Sequence, residues 1–198
     1  MKYQMKHIRA AVGLVAVLVV GLASSVFALD EQRGPDPMTA SLRPLKGKEF
    51  EIMFLKDMIH HHQTAVDMAE LATRNTKRAE LNKMGRDIIS AQKAEIDQMT
   101  GWLKGYGESV GSMDHMPGME KMMNEMEELK KAKNAEFDKM FLSMMSKHHK
   151  GAIMMSKLVA DRTDRAELKQ LAGKIIKEQE KEIEQMTGWK KSWFGSAH

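Results

Sequence analysis

The sequence predicts an all-α protein, an antiparallel four-helix bundle built from two duplicated αα-hairpins. Three observations carry that prediction. First, the chain repeats itself. Met53, Phe54, Leu55, Met58, His61, His62, Ala65, Met68 and Leu71 recur as Met140, Phe141, Leu142, Met145, His148, His149, Ala152, Met155 and Leu158, an offset of 87 with no gap. Nearly half of positions 53–102 are identical to the residue 87 further on, and a repeat of that length decides architecture before any other signal. Second, apolar residues advance in steps of three and four, the mark of one helix face. Third, no stretch sustains apolar–polar alternation, and proline is absent between residues 45 and 111. Nothing therefore reads as a strand, and nothing breaks the long helices.

Taken in order, residues 1–28 read as a signal peptide. Lys2, Lys6 and Arg9 precede an apolar run at 10–23, and Val26 and Ala28 stand at the −3 and −1 positions of a cleavage site after Ala28. The run is short for a membrane span, so the chain is expected in the periplasm or outside the cell, membrane-bound only if this segment is retained. Residues 29–48 are polar, with Pro35, Pro37 and Pro44, and read as a flexible N-terminal segment.

The duplicated domain is expected over 49–198, with repeat 1 at about 49–104, a Met-rich linker at about 105–119 and repeat 2 at about 120–194. In the first helix Phe50, Phe54, Met58, His61, Ala65, Met68 and Ala72 share a face, until Arg74–Asn75 ends it. Thr76 is placed to cap the second helix, whose stripe is Leu81, Met84, Ile88, Ile89, Ile96, Met99 and Leu103. Helix is expected again from about Glu120, running unbroken through Phe137, Phe141, Met145, His148 and Met155. Thr163 should cap the last helix, with Asp164 and Glu167 near its positive end. Its stripe is Leu168, Leu171, Ile175, Ile176, Ile183 and Met186. Two amphipathic hairpins must bury their stripes against each other, which makes the bundle.

Composition narrows the function. Lys and Arg exceed Asp and Glu by four, but three cations lie in residues 1–28, so the remainder is near neutral. That argues against a nucleic-acid partner, which demands a strong local positive field. An exported chain without cysteine has no disulfide and is held by packing alone. Twenty methionines are far more than packing needs.

Residues three and four apart on a helix share a face. Met58 therefore lies beside His61 and His62, and Met145 beside His148 and His149. Met144 also neighbours His148, while Met68 and Met155 lie two turns on. One patch of two imidazoles and one or two thioethers is expected in each half. Thioether sulfur suits Cu(I), and imidazole suits copper, zinc, iron and nickel. Zinc rarely takes thioether. The linker repeats the theme with Met113, His115, Met116 and Met119, a further candidate site for copper. Methionine also fills core gaps, and Met53, Met84, Met99, Met140 and Met186 are assigned there. Glu95 and Glu182, with Gln92 and Gln179 one turn earlier, occupy matching places on the second and fourth helices. They could ligate, orient the imidazoles, or simply face solvent.

Rival readings were weighed on the same residues. A di-iron oxidase wants Glu-x-x-His on two helices; here Met58 and Met145 stand where the glutamates would. A phosphotransfer bundle is only approached by His148-His149-Lys150-Gly151. A metal-independent periplasmic chaperone or structural bundle would have no reason to duplicate the His pair. No hydrolase or nucleotide motif appears, so the chain is not expected to be an enzyme.

These residues resemble the family known as domain of unknown function 305, which includes CopM-like, ferritin-like periplasmic copper-binding proteins. The carriers are EFEIMFLKDMIHHHQTAVDM at 49–68, EFDKMFLSMMSKHHKGAIMM at 136–155, the Met116-Pro117-Gly118-Met119 linker, and two copies of Gln-x-x-Glu-Ile-x-x-Met-x-x-Trp ending at Trp102 and Trp189. The resemblance implies a ferritin-like bundle, export and copper binding. His60 stands where the family often has Pro, and Thr64 where it often has Gly. Lys150 replaces a usual Gln or Glu, and a cation beside His149 is expected to weaken the second site. The reading is an exported copper-binding protein that sequesters or delivers Cu(I), with Cu(II) less preferred. Its partners would be copper ions and a copper exporter or other periplasmic copper protein.

Overall fold

The computed structural model describes residues 37–112 and 119–195. The expected signal peptide, and Met113, His115 and Met116 of the linker, lie outside the described residues. So does the side chain of Met119. The elements are α1 (Pro37–Ala40), α2 (Gly47–Asn75), α3 (Ala79–Gly105), α4 (Met119–Lys131), α5 (Asn134–Arg162) and α6 (Ala166–Phe194). Helices α2, α3, α5 and α6 form the bundle, and there is no strand among the described residues.

Each helix's direction follows from what it buries. One apolar cluster joins Phe50, Phe54 and Met58 of α2 to Met99 and Leu103 of α3, Met155 and Val159 of α5, and Leu168 and Ile175 of α6. A second joins Met68 and Ala72 of α2 to Leu81 and Met84 of α3, Phe137, Phe141 and Met145 of α5, and Met186 of α6. The start of α2 thus meets the ends of α3 and α5, so neighbours run antiparallel. Within each cluster two phenylalanines stack, Phe50 on Phe54 at 5.8 Å and Phe137 on Phe141 at 6.2 Å between centroids. Such pairs add about 0.5–1.5 kcal/mol beyond area burial. Between the two clusters the interior turns polar, with His61, His62, Gln92, Glu95, His148, His149, Ser156 and Gln179 all buried.

The ends of the two hairpins are locked by a repeated device. Glu51 of α2 accepts hydrogen bonds from the hydroxyls of Tyr106 and Thr163. Arg165 donates to the Tyr106 oxygen at 2.9 Å and lies 4.8 Å above the Trp102 ring. At the other end Arg78 donates to Asp138 at 3.2 Å and lies 4.1 Å above Trp193. Arg78 and Arg165, like Glu51 and Asp138, are 87 residues apart. Each repeat therefore supplies the arginine that holds the other repeat's buried carboxylate.

Four expectations are corrected. Residues 37–46 are not a loose tether: they form α1 and a turn, Leu42 is fully buried, and Ser41 donates to Asp57 at 3.0 Å. The helix expected from Glu120 is broken at Ala132–Lys133, where Asn134 takes φ 51°, a left-handed conformation asparagine tolerates. Thr76 and Thr163 do not cap at the helix start. Their hydroxyls accept from Arg78 and Arg165 two residues on, one step before α3 and α6 begin. Ile89, Ile96 and Ile183 are only partly buried. The inward stripe of α3 is Ile88, Gln92, Glu95, Met99 and Leu103, because the polar belt claims positions that apolar periodicity would have assigned elsewhere.

Candidate metal centre

Antiparallel packing of α2 on α5 brings His61 against His148, their ring centroids 3.6 Å apart and the planes 36° from parallel. None of the four ring nitrogens has a well-formed hydrogen bond within the protein. Burial pushes the affinity of both rings for a proton well below its ordinary value. The neighbouring His62 and His149 add to this, and the approach of the His148 backbone to His61 opposes it and loses. Both rings are therefore neutral at pH 7, with lone pairs available.

The adjacent histidines turn away from this pair. His62 Nε2 lies 2.8 Å from Glu95 of α3, and His149 Nε2 lies 2.6 Å from Glu182 of α6. Burial works to raise the Glu95 carboxyl, but the hydrogen bond from His62 and the Lys174 ammonium outweigh it and hold it below its usual range. An ionised carboxylate can only accept, so His62 donates from Nε2. The His62 and His149 Nδ1 atoms are buried and unpartnered, as are Oε1 of Gln92 and of Gln179. Glu95 and Glu182 thus orient imidazoles. Nothing among the described residues brings three or more His, Asp or Glu side chains together as a metal cage.

His61 and His62 face different partners, with centroids 6.4 Å apart. Met58 and Met155 lie in one apolar cluster, and Met68 and Met145 in the other. These four are buried, and the clusters flank the His pair along the bundle. His61 and His148, one from each repeat, thus meet between the two clusters. Met144 lies apart, lining with Met140 a groove between α4 and α5 of about 780 Å³. Of the methionines assigned to the core, Met84, Met99 and Met186 are buried, while Met53 and Met140 are only partly so.

A soft cation would find two neutral imidazoles and thioethers in a dry interior, which matches the preference of Cu(I) for sulfur and nitrogen. The family model of domain of unknown function DUF305 matches residues 35–103 and 51–190. The chain belongs to this family. Solved structures like it include CopM in the Cu(I)-bound form, 34% identical, with a TM-score of 0.63 and coverage of 73% of this chain and 98% of that one. CopM is also known in Ag-bound and Cu(II)-bound forms. A DUF305 fragment from Deinococcus radiodurans is 26% identical at a TM-score of 0.67, covering 74% of this chain and 99% of that one. A DUF305 protein from Streptomyces coelicolor is 28% identical at 0.62, covering 71% and 90%. No curated protein sequence matches the chain.

The DUF305 departures now have places. Thr64 is buried and its hydroxyl donates to the His60 carbonyl at 3.2 Å. Lys150 is exposed, so it does not press on His149. The cation that touches the centre is Lys174 of α6, 3.1 Å from Oε1 of Glu95. Sequence reasoning missed it, because its partner lies on the other hairpin.

Proposed function

We propose that the chain is an exported copper-binding protein that takes up Cu(I) and holds it for sequestration or delivery, with no catalytic role of its own. The observation that carries the reading is the close-packed, neutral His61–His148 pair, whose ring nitrogens have no hydrogen-bond partner, in the interior of the bundle. A buried polar atom left unpaired costs about 1–3 kcal/mol, and here four such nitrogens meet. The CopM forms with Cu(I), Cu(II) and Ag support the choice of ion. His61 and His148 would hold the cation. Met58, Met155, Met68 and Met145 would supply soft donors from either side. Glu95 and Glu182 fix the tautomers of His62 and His149, whose Nδ1 lone pairs remain for a ligand. Cu(II), a harder ion, would rely on the imidazoles alone. No helix among the described residues is long and apolar enough to cross a membrane. The reading keeps the chain in the periplasm or outside the cell once residues 1–28 are removed, passing copper to an exporter or another periplasmic copper protein.

Competition with a chromophoric Cu(I) chelator tests this. Replacing His61, His62, His148 and His149 together by Ala should weaken Cu(I) binding by about a hundredfold or more. Unchanged affinity would overturn the reading. Metal content after growth with both copper and iron separates it from the di-iron alternative, which requires two iron ions per bundle and oxidase activity. A His-free variant that retained full activity without metal would instead favour the chaperone alternative.

A further inference from the structure

The two His–Glu pairs are equivalent by repeat and unequal by charge. His62–Glu95 and His149–Glu182 have the same sequence spacing and nearly the same length. Lys174 Nζ, however, lies 3.1 Å from the second oxygen of Glu95. The residue 87 earlier is Asp87, an anion where the symmetric cation would stand. Asp87 turns outward to Lys83 at 2.6 Å. Among the described residues no cation pairs with Glu182.

A carboxylate that accepts from one imidazole nitrogen raises the donor strength of the other. An ammonium on that carboxylate cancels much of this effect, and it also repels a cation bound at the far nitrogen. Glu182 is more exposed than Glu95, 23% against 4%, so water screens it somewhat. Lys174 is itself half exposed and also lies 3.8 Å from Glu178, but it is nearer to Glu95, whose carboxylate is almost fully buried, so its charge acts there more strongly than the partial screening acts at Glu182. The field at His149 therefore favours a cation more than the field at His62 does. This reverses the ranking that Lys150 implied.

Resting on the reading that these imidazoles bind Cu(I), we propose that Lys174 sets the order in which the two sides of the centre engage the metal. The His149–Glu182 side engages first and the His62–Glu95 side second. Lys174 acts through Glu95 and never touches the ion, which makes it a positioning residue.

The test is Cu(I) titration of the purified protein with the imidazole ring nitrogens followed by NMR. In the wild type, His149 signals should move at lower copper than His62 signals. Lys174→Gln should make the two sides respond together, with affinity on the His62 side rising about tenfold. Lys174→Arg keeps the charge and should keep the order, which a merely structural role for the side chain would not predict. Lys174 is half exposed, so each variant should fold, and a native ring spectrum before copper is added verifies this. If the two sides respond together in the wild type, or if Lys174→Gln leaves the order unchanged, the proposal fails while the copper reading stands. If no imidazole responds at all, the copper reading itself fails.

Discussion

His61 and His148 are kept neutral by their surroundings, and that neutrality has a measurable signature in the metal-free protein. Their folded proton affinity is depressed, while in the unfolded chain both titrate at the ordinary histidine value of about 6.5. Above that pH neither state binds these protons and nothing is lost. Below it the unfolded chain takes them up and the native core does not, so stability falls as pH drops. Two such groups give a slope of up to about 2.7 kcal/mol per pH unit. Urea denaturation of metal-free protein between about pH 7.5 and about pH 5.5 should show this loss, and His148→Leu should roughly halve the slope. A stability flat across that range would mean that the rings reach water. At the neighbouring pair, Glu182→Ala removes the acceptor that orients His149, and Cu(I) affinity should fall about tenfold to a hundredfold in chelator competition.

At the scale of elements, the hairpins are joined by the arginine clamps and by close helix packing. Removing Arg78 leaves Asp138 buried without its ion pair, and Arg78→Ala should cost about 1–3 kcal/mol in thermal unfolding. Tryptophan emission should shift as well, because the guanidinium leaves the Trp193 face. In α3, a Cβ at Gly85 would sit 3.1 Å from the Ala69 carbonyl oxygen and 3.1 Å from the Thr73 methyl. The carbonyl cannot move aside, so Gly85→Val should destabilise by about 2 kcal/mol. The four long helices were legible because the offset of 87 and the three-four spacing are local signals. The clamps were not, because Arg165 and Glu51 meet only after the hairpins dock. The break before Asn134 left no trace either, since a single left-handed residue needs neither glycine nor proline.

For the whole molecule, the repeat and the antiparallel packing together create a centre that neither hairpin contains. The sequence singled out the four histidines that the fold buries, and also Glu95 and Glu182, which reach His62 and His149. It could not show that His61 would pack against His148 while His62 turned away, because the handedness of docking is a property of the assembled bundle. For the same reason Lys174 went unseen. Cu(I) bound between the hairpins should raise the unfolding temperature, increasingly so with free Cu(I) and with affinity. The most direct test is X-ray absorption on the Cu(I)-loaded protein, wild type against His61→Ala/His148→Ala. The account predicts mixed nitrogen and sulfur donors around copper in the wild type and a reduced nitrogen contribution in the double variant. Identical spectra from the two proteins would contradict a centre built on the His61–His148 pair.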